Sequence, residues 1–225
     1  MIYIIFGASG SGKTTFMNLI KSNFDNVDIH EKATTRKIRR YDDDEIISIP
    51  SGIPRDKYDY IYNQYGYEYG IEKAQIERSL SMNRCHFVIC NDIEIIERIK
   101  NDYRGKVTVI FLCFDAPREE LIKIQKKREI SDDEIDVRLN KMEYLNQVFI
   151  ENTHVFDEVI KNKYDYPDKM LKQVDRIING LQAKRGSKIH FDISNFTVIW
   201  YDSMSELERK LKVMFENILT NKSNY

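Results

Sequence analysis

One segment near the N-terminus combines glycines, a lysine and a hydroxyl residue at a spacing that suits phosphate binding. Residues 7–14 have the sequence GASGSGKT, which matches the pattern G-x-x-x-x-G-K-[ST]. Glycines let successive backbone N–H groups turn inward, and the start of a helix adds positive potential. The lysine of such a loop reaches β- and γ-phosphates, and the threonine hydroxyl is a ligand for Mg²⁺. The predicted cofactors are therefore ATP and Mg²⁺.

The predicted site for the ATP phosphates covers nine consecutive residues. These are Gly7, Ala8, Ser9, Gly10, Ser11, Gly12, Lys13, Thr14 and Thr15. Lys13 is the predicted catalytic cation and Thr14 the predicted Mg²⁺ ligand. An ordinary glycine-rich turn is the alternative interpretation. The flanks favour the phosphate site, because residues 2–6 predict a buried strand and residues 13–21 carry apolar side chains at helical spacing.

The elements that must position this loop predict an α/β fold. Buried strands are predicted from four apolar runs, at residues 2–6, 87–90, 107–114 and 156–160, and a shorter strand at residues 27–30. Helices are predicted from residue 92, with Asp92 as N-cap, from residue 115, and from Ser131, which opens a capping box. Strands that alternate with helices imply a parallel sheet.

Two regions depart from this alternation. The tyrosine-rich residues 41–70 predict a small inserted β region, and residues 183–187 have the composition of a linker after a predicted helix at 167–181. The predicted domains are therefore residues 1–182 and a C-terminal β/α extension, residues 183–225. The last helix of the extension has an apolar face, which leaves the parent domain, a second copy of the chain and another protein as open partners.

Composition excludes several classes of function. The chain has 225 residues, with 35 Lys and Arg against 36 Asp and Glu, so no global positive field favours nucleic acid. The longest apolar runs are far shorter than the ~18 residues of a membrane span, and no signal peptide is expected. Three cysteines without C-x-x-C spacing fit the reducing cytoplasm, and the four histidines lack the spacing of zinc ligands.

Beyond the phosphate loop, a series of motifs resembles guanylate kinases over residues 1–181. Thr34-Thr35-Arg36 with Arg39 is similar to the family's T-T-R-x-x-R, and Tyr67-Glu68-Tyr69-Gly70 is similar to its tyrosine-tyrosine-glycine stretch. Asn91 and Asp92 lie where the family has its aspartate-bearing central strand. Arg128 and Arg138 match the two arginines of its lid, and residues 156–162 resemble its F-D-x-V-I-x-N closing strand.

The resemblance implies a P-loop NTPase three-layer sandwich with a parallel central sheet. It also implies a small β-rich acceptor-binding insert, at about residues 32–80, and a helical lid, at about residues 126–140. The implied activity is ATP-dependent phosphoryl transfer to a nucleoside monophosphate, either GMP-like or a related phosphorylated acceptor. Such a reaction depends on positioning and on cations, because charge spreads over the phosphoryl oxygens in transit.

The same resemblance assigns roles to individual residues. Arg36 and Arg39 would bind the phosphate of the acceptor, and Arg128 and Arg138 the phosphates in transit. The predicted catalytic residues are thus Lys13, Arg36, Arg128 and Arg138, and the predicted acceptor-binding residues are Arg36, Arg39, Tyr69, Asn91 and Asp92. For the arginines the alternative is solvated surface charge. Tyr69 could instead pack within the insert, and Asp92 could serve only as a helix cap.

Departures from the family pattern concern the base of the acceptor. Lys32 or Ala33 stands where the family has a serine, and Asp59-Tyr60 where it has the glutamate that reads guanine. A site that loses such groups loses discrimination between bases but not phosphate binding. Two other classes of function stay open: a binding module of this fold without turnover, and a P-loop kinase or NTPase with a non-nucleotide acceptor.

Overall fold

The computed structural model describes residues 1–8, 10–38, 46–114, 118–127, 131–162, 170 and 173–174. Three predicted site residues, Ser9, Arg39 and Arg128, lie outside the described residues. The predicted helix at 167–181, apart from three of its positions, and the whole predicted extension at 183–225 also lie outside them.

Nine strands and five α-helices occur in the described residues. The strands are β1 (Ile2–Phe6), β2 (Val27–Ile29), β3 (Lys32–Thr34), β4 (Ile46–Ser48), β5 (Tyr60–Gln64), β6 (Tyr67–Ile71), β7 (Cys85–Ile89), β8 (Val107–Phe114) and β9 (Glu158–Asn162). The helices are α1 (Lys13–Asn23), α2 (Lys73–Ser81), α3 (Ile93–Asp102), α4 (Arg118–Lys127) and α5 (Asp132–Glu151).

Five strands form a parallel sheet in the order β2-β7-β1-β8-β9. Strand β1 has no polar residue and is buried along its whole length, as expected for a strand covered on both faces. Its Ile4 pairs with Val88 of β7, and Phe111 of β8 pairs with Val159 of β9. The predicted α/β class with a parallel central sheet is confirmed.

A second, mixed sheet has the order β4-β3-β6-β5. Strands β5 and β6 are antiparallel neighbours, with Tyr62 opposite Tyr69. In β5 the buried Tyr60 and Tyr62 alternate with more exposed residues, which is the period of a strand with one packed face. This sheet confirms the inserted β region. Helix α2 follows it directly and was not among the predicted elements.

Two helices begin at the N-cap residues that the sequence predicts. The Asp92 carboxylate accepts a hydrogen bond from Ile95 N at 3.0 Å, and the Ser131 hydroxyl accepts from Glu134 N at 3.4 Å. Other boundaries shift. Strand β9 begins at Glu158, two residues later than predicted, because Phe156 follows a 3₁₀ turn (Thr153–Val155) and packs against Phe149 instead.

The described part of the chain falls into two compact units. One contains residues 1–5 and 14–109, and the other contains residues 6–13 and 110–177. The second unit has an aromatic core in which Phe6, Phe111, Phe149 and Phe156 contact one another. Its helices α4 and α5 pack through Leu121, Ile135 and Leu139.

The first unit contains a buried chain of polar groups at the β2 edge of its strands. Glu72 N donates to His30 Nε2 at 3.2 Å, so His30 carries its proton on Nδ1 and donates to His86 Nε2 at 2.9 Å. His86 then donates from Nδ1 to Ser79 Oγ at 2.8 Å, and Ser79 Oγ donates to Asp28 Oδ2 at 2.7 Å. The two bonds of His30 each need an imidazole nitrogen as acceptor, so together they require both imidazoles to be neutral.

No helix in the described ranges is both long enough and apolar enough to cross a membrane.

Candidate functional site

The loop between β1 and α1 can be built only with glycine at its key positions. Gly10 and Gly12 have φ angles of 90° and 94°, which side chains rarely adopt. A Cβ at Gly7 would collide with the carbonyl oxygen of Leu112, and one at Gly12 with the amide nitrogen of Asn162. The backbone is therefore held close to its neighbours in the geometry that the motif predicts.

Lys13 is folded over this loop. Its Nζ donates to the carbonyl oxygens of Gly7 at 2.7 Å and Ala8 at 2.6 Å. A strand-to-helix turn needs no ammonium at its centre, whereas a phosphate-binding loop does. The position of Lys13 therefore favours the phosphate site over the ordinary turn.

Three hydroxyl residues lie in the loop or in the first turn of α1. Ser11 is 2% exposed, and its Oγ has no hydrogen-bond partner among the described residues. Buried hydroxyls are normally bonded, so a missing ligand atom is one explanation for this group. Thr14 and Thr15 lie exposed in the first turn of α1. The residues present are thus compatible with a Mg²⁺–polyphosphate, for which Thr14 stays the predicted Mg²⁺ ligand.

Asn162, at the end of β9, supports the loop from the side. Its Nδ2 donates to the carbonyl oxygen of Ser11 at 2.9 Å, and its side chain is 5% exposed. Sequence reasoning noted Asn162 only as part of a strand motif and gave it no role in the site. The missed signal is a buried amide at the carboxyl end of a parallel strand, which is where ligand sites of open α/β sheets lie.

Arg138 is connected to the same loop through Gln125. Arg138 donates from NH1 to Gln125 Oε1 at 2.9 Å and from NH2 to Glu134 Oε1 at 2.8 Å. The other end of the Gln125 amide faces Gly10, because a Cβ at Gly10 would lie 2.8 Å from Gln125 Nε2. Of the two predicted lid arginines, Arg138 thus bonds a side chain that lies beside the loop. Sequence reasoning missed Gln125.

The predicted acceptor residues lie in the other unit, where Arg36 ends a tightly bonded turn. Arg36 N donates to Thr34 Oγ1 at 3.2 Å, and Glu68 N donates to Thr35 Oγ1 at 3.0 Å. The Arg36 guanidinium donates to the carbonyl oxygen of Lys37 at 2.9 Å, and the residue is 8% exposed. The two threonines therefore shape the backbone that carries Arg36.

Tyr69 is packed against Tyr62 and Lys32. The two tyrosine rings stack with centroids 5.4 Å apart, and Lys32 Nζ lies 4.9 Å from the Tyr69 centroid. Lys32 Nζ also donates to the carbonyl oxygen of Ile89 at 3.0 Å and to Tyr62 Oη at 3.3 Å. Burial raises the pKa of the nearby Cys90 to about 11, which keeps this thiol protonated. Tyr69 therefore packs within the insert, as one of its two interpretations predicts.

Asn91 and Asp92 follow β7 at its carboxyl end, and both are half-buried. The Asp92 carboxylate makes the cap bond to Ile95 N described above, so its structural role is realised. One carboxylate oxygen is sufficient for a cap, and the second oxygen is compatible with a role toward a ligand.

A comparison with known proteins shows which fold this chain shares. No protein-family model matches the chain, and no curated protein matches its sequence. The crystal structure of guanylate kinase from Anaplasma phagocytophilum is similar, with a TM-score of 0.53 and 16% sequence identity, over 79% of this chain and 81% of that chain. The chain has a guanylate kinase-like fold. At this identity the likeness establishes the fold alone.

Asp59 and Tyr60, which sequence analysis predicts at the position of the family's base-reading glutamate, both make structural hydrogen bonds. Asp59 Oδ2 accepts from Lys73 N at 2.8 Å, at the first residue of α2. Tyr60 is buried, and its hydroxyl donates to Asp102 Oδ2 at 2.6 Å. Burial, followed by that hydrogen bond, raises the pKa of Tyr60. Both side chains are therefore engaged in holding α2 and α3.

Proposed function

We propose that this protein transfers the γ-phosphate of Mg²⁺–ATP to a nucleoside monophosphate or a related phosphorylated acceptor. The observation that carries the proposal is the Lys13 ammonium, which lies against the carbonyl oxygens of Gly7 and Ala8 inside a glycine loop. A module that has lost turnover has no need of this lysine together with the threonine that follows it. The guanylate kinase-like fold supports the same class of reaction.

In the proposed reaction, each cation has a separate task. Lys13, the loop amides and the Ser11 hydroxyl would bind the phosphates of the donor, and Thr14 would hold Mg²⁺, which would supply charge neutralisation. Arg36 and Arg39 bind the acceptor phosphate, since a planar guanidinium can engage two oxygens. Arg128 and Arg138 stabilise the group in transit. A general base is unnecessary, because a phosphate monoester with a second pKa of ~6 is already largely ionised.

The acceptor-binding group in this proposal includes Tyr69, Asn91 and Asp92 with the two arginines. Tyr60 has no carboxylate and donates its hydroxyl to Asp102, and Asp59 already uses one carboxylate oxygen to hold Lys73 N. We therefore expect acceptance of more than one base, with the acceptor phosphate as the group that is recognised.

The first experiment measures ADP formation from Mg²⁺–ATP with a panel of ribo- and deoxyribonucleoside monophosphates. Lys13→Ala serves as the blank, and Lys21→Ala, at the other end of α1, is the matched control. We expect at least one monophosphate to raise the rate in the wild type and in the control, but not in the blank. The proposal fails if ATP binds and no acceptor raises the rate. ADP release that Lys13→Ala abolishes but no acceptor stimulates would identify an NTPase.

The second experiment tests Arg36. Arg36→Ala is expected to raise the KM for the acceptor by roughly 10- to 100-fold, the effect of one lost charge-assisted bond, and to leave ATP affinity almost unchanged. Arg55→Ala is the control, because Arg55 lies in the same inserted region and pairs with Glu68 on the surface. Arg36→Lys keeps a charge if the alanine variant does not fold. Equal losses for acceptor and ATP would contradict the assignment.

A further inference from the structure

Gln125 is a buried amide beside the phosphate loop. It lies near the C-terminal end of α4 and is 3% exposed. A primary amide has two donor hydrogens and an acceptor oxygen, and burying it is unfavourable unless these groups are bonded. Its surroundings in the same unit are Arg138 of α5 and Gly10 of the loop.

The contact with Arg138 determines which way the amide points. A guanidinium has donors only, so the atom 2.9 Å from Arg138 NH1 must be the oxygen of Gln125. The nitrogen then faces the loop, where a Cβ on Gly10 would lie 2.8 Å from it. Glu134 in turn holds Arg138 with hydrogen bonds at 2.8 and 3.3 Å to the same carboxylate oxygen. Arg138 and Glu134 of α5 therefore fix the orientation of the Gln125 amide.

The bond from Arg138 uses the oxygen of Gln125, and the nitrogen lies beside Gly10. In the same loop, Ser11 Oγ is also buried and lacks a partner within the described part of the chain. A buried hydroxyl without a partner and an amide nitrogen beside the same glycine loop suit an oxygen-rich ligand. A phosphate has three acceptor oxygens and carries negative charge, which makes bonds from neutral donors stronger.

We propose that Gln125 is a phosphate-binding residue of the donor site, whose Nε2 donates a hydrogen bond to a phosphate oxygen of ATP in the loop. Arg138 acts on the same site as a positioning residue, because it orients the Gln125 amide. The proposal rests on the proposed function and adds a contact that no motif in the sequence indicates. A side chain at Gly10 would displace this amide.

Two substitutions at one position separate this role from packing. Gln125→Glu keeps the length of the side chain and an oxygen for Arg138, but it replaces the proposed donor with a carboxylate oxygen. Gln125→Met keeps the volume and removes the donor without adding charge. Gln147→Glu is the matched control, since Gln147 is exposed on α5 and bonds only Glu151 there. The full chain is used throughout.

Affinities for Mg²⁺–ATP and for inorganic tripolyphosphate are measured by calorimetry, with thermal midpoints recorded for every variant. We expect both Gln125 variants to lose roughly 10- to 100-fold in affinity for each probe, the range for one bond to a charged group. The control should stay within about twofold, because exposed charges are screened. Equal losses for ATP and tripolyphosphate indicate that the contact is with phosphate and not with the nucleoside.

The outcomes distinguish this proposal from the proposed function. If the wild type binds ATP, Lys13→Ala does not, and both Gln125 variants bind as tightly as the wild type, the Gln125 contact is refuted and the kinase proposal stands. A lowered thermal midpoint with unchanged affinity also refutes the contact and assigns Gln125 to packing. If the wild type binds neither probe, the proposed function itself is overturned, and the Gln125 contact with it.

Discussion

Asn162 shows how the phosphate loop depends on a residue far away in sequence. The carbonyl group of Ser11 is held by Asn162 Nδ2, and the absence of a side chain at Gly12 makes room for that amide. Glycines permit the curled backbone but do not select one geometry. The buried amide supplies that selection, because it bonds the loop at a single point.

The first stability prediction concerns this bond. Asn162→Ala removes the donor and leaves a buried carbonyl oxygen without a partner, which costs about 1–3 kcal/mol of the free energy of unfolding. Urea denaturation measures the loss. Asn140→Ala is the control, because Asn140 is exposed on α5 and such substitutions usually stay within about 0.5 kcal/mol. Equal small effects for both variants would mean that the bond does not stabilise the fold.

Residues of the site differ in how far the sequence could predict them. Lys13 and the glycines were predictable, because the motif is contiguous and the strand and helix that flank it are local features. Gln125 and Asn162 were not predictable, because the loop residues that they approach lie more than 100 residues away along the chain. Neither residue type is unusual at its position, so only the packed structure reveals which amides face the loop.

At the scale of elements, helix α3 begins as its sequence predicts. Asp92 takes an extended conformation and bonds Ile95 N, which satisfies one of the amides that a helix start leaves open. The same residue is a predicted acceptor ligand. These two roles can be separated, because a cap needs an oxygen acceptor whereas electrostatic binding of a ligand or metal needs the charge.

Asp92 substitutions give the second stability prediction. Asp92→Ala should lower the free energy of unfolding by about 1 kcal/mol, since alanine cannot cap. Asp92→Asn should change it by only a few tenths of a kcal/mol, because asparagine caps about as well. Thermal or urea denaturation tests this pair, and turnover measured on the same proteins tests the charge. If Asp92→Asn is as stable as the wild type but has lower turnover, the charge of Asp92 has a chemical role. If this variant is stable and fully active, Asp92 acts only as the helix cap.

Helix α2 shows why other elements escaped prediction. Its N-cap, Glu72, makes no side-chain cap bond, and its first amide is bonded instead by Asp59, 14 residues earlier. Its buried residues are Ile76 and Ser79, so the apolar period is weak. A helix that is capped and packed mainly by tertiary contacts carries little signal in its own sequence. Strands β1 and β8, by contrast, are long apolar runs and were predicted with their final boundaries.

At the scale of the whole molecule, the balanced net charge of −1 conceals groups whose ionisation depends on folding. The clearest are His30 and His86 in the buried polar chain. Burial lowers the pKa of His86 to about 4; Asp28 acts against this shift, while Arg78 and the N-terminal amine add to it. The pKa of His30 is lowered by burial, by His86 and by Lys32. Both histidines are neutral in the folded protein at neutral pH.

The hydrogen-bond geometry also indicates that both histidines are neutral. If His86 gained a proton, both of its ring nitrogens would be donors, and the one that faces His30 Nδ1 would meet another donor. His30 could then accept only by losing its bond from the amide of Glu72. Protonation of His86 therefore costs one of two hydrogen bonds, which are 2.9 and 3.2 Å long in the neutral state.

The sign of the pH dependence follows. In the unfolded chain each histidine takes up a proton below about pH 6.5. In the folded protein His86 does not take up a proton until the pH is near 4. The free energy of unfolding therefore decreases as the pH falls through this window. Glu158 acts in the opposite direction below about pH 6, because burial, and then Asp157, raise its pKa to about 6. A Glu158→Gln background removes this opposing contribution.

We therefore expect the free energy of unfolding, measured by urea denaturation in that background, to fall between pH 6.5 and pH 4, with His86 alone contributing about 3 kcal/mol at most. Adding His86→Gln should lower stability at pH 7 but flatten the fall, because glutamine can bond both Ser79 and His30 without titrating. Adding His154→Gln instead, on an exposed histidine, should leave the slope unchanged. If the slope is the same with and without His86, acid sensitivity has another origin, and the neutral polar chain does not link folding to pH.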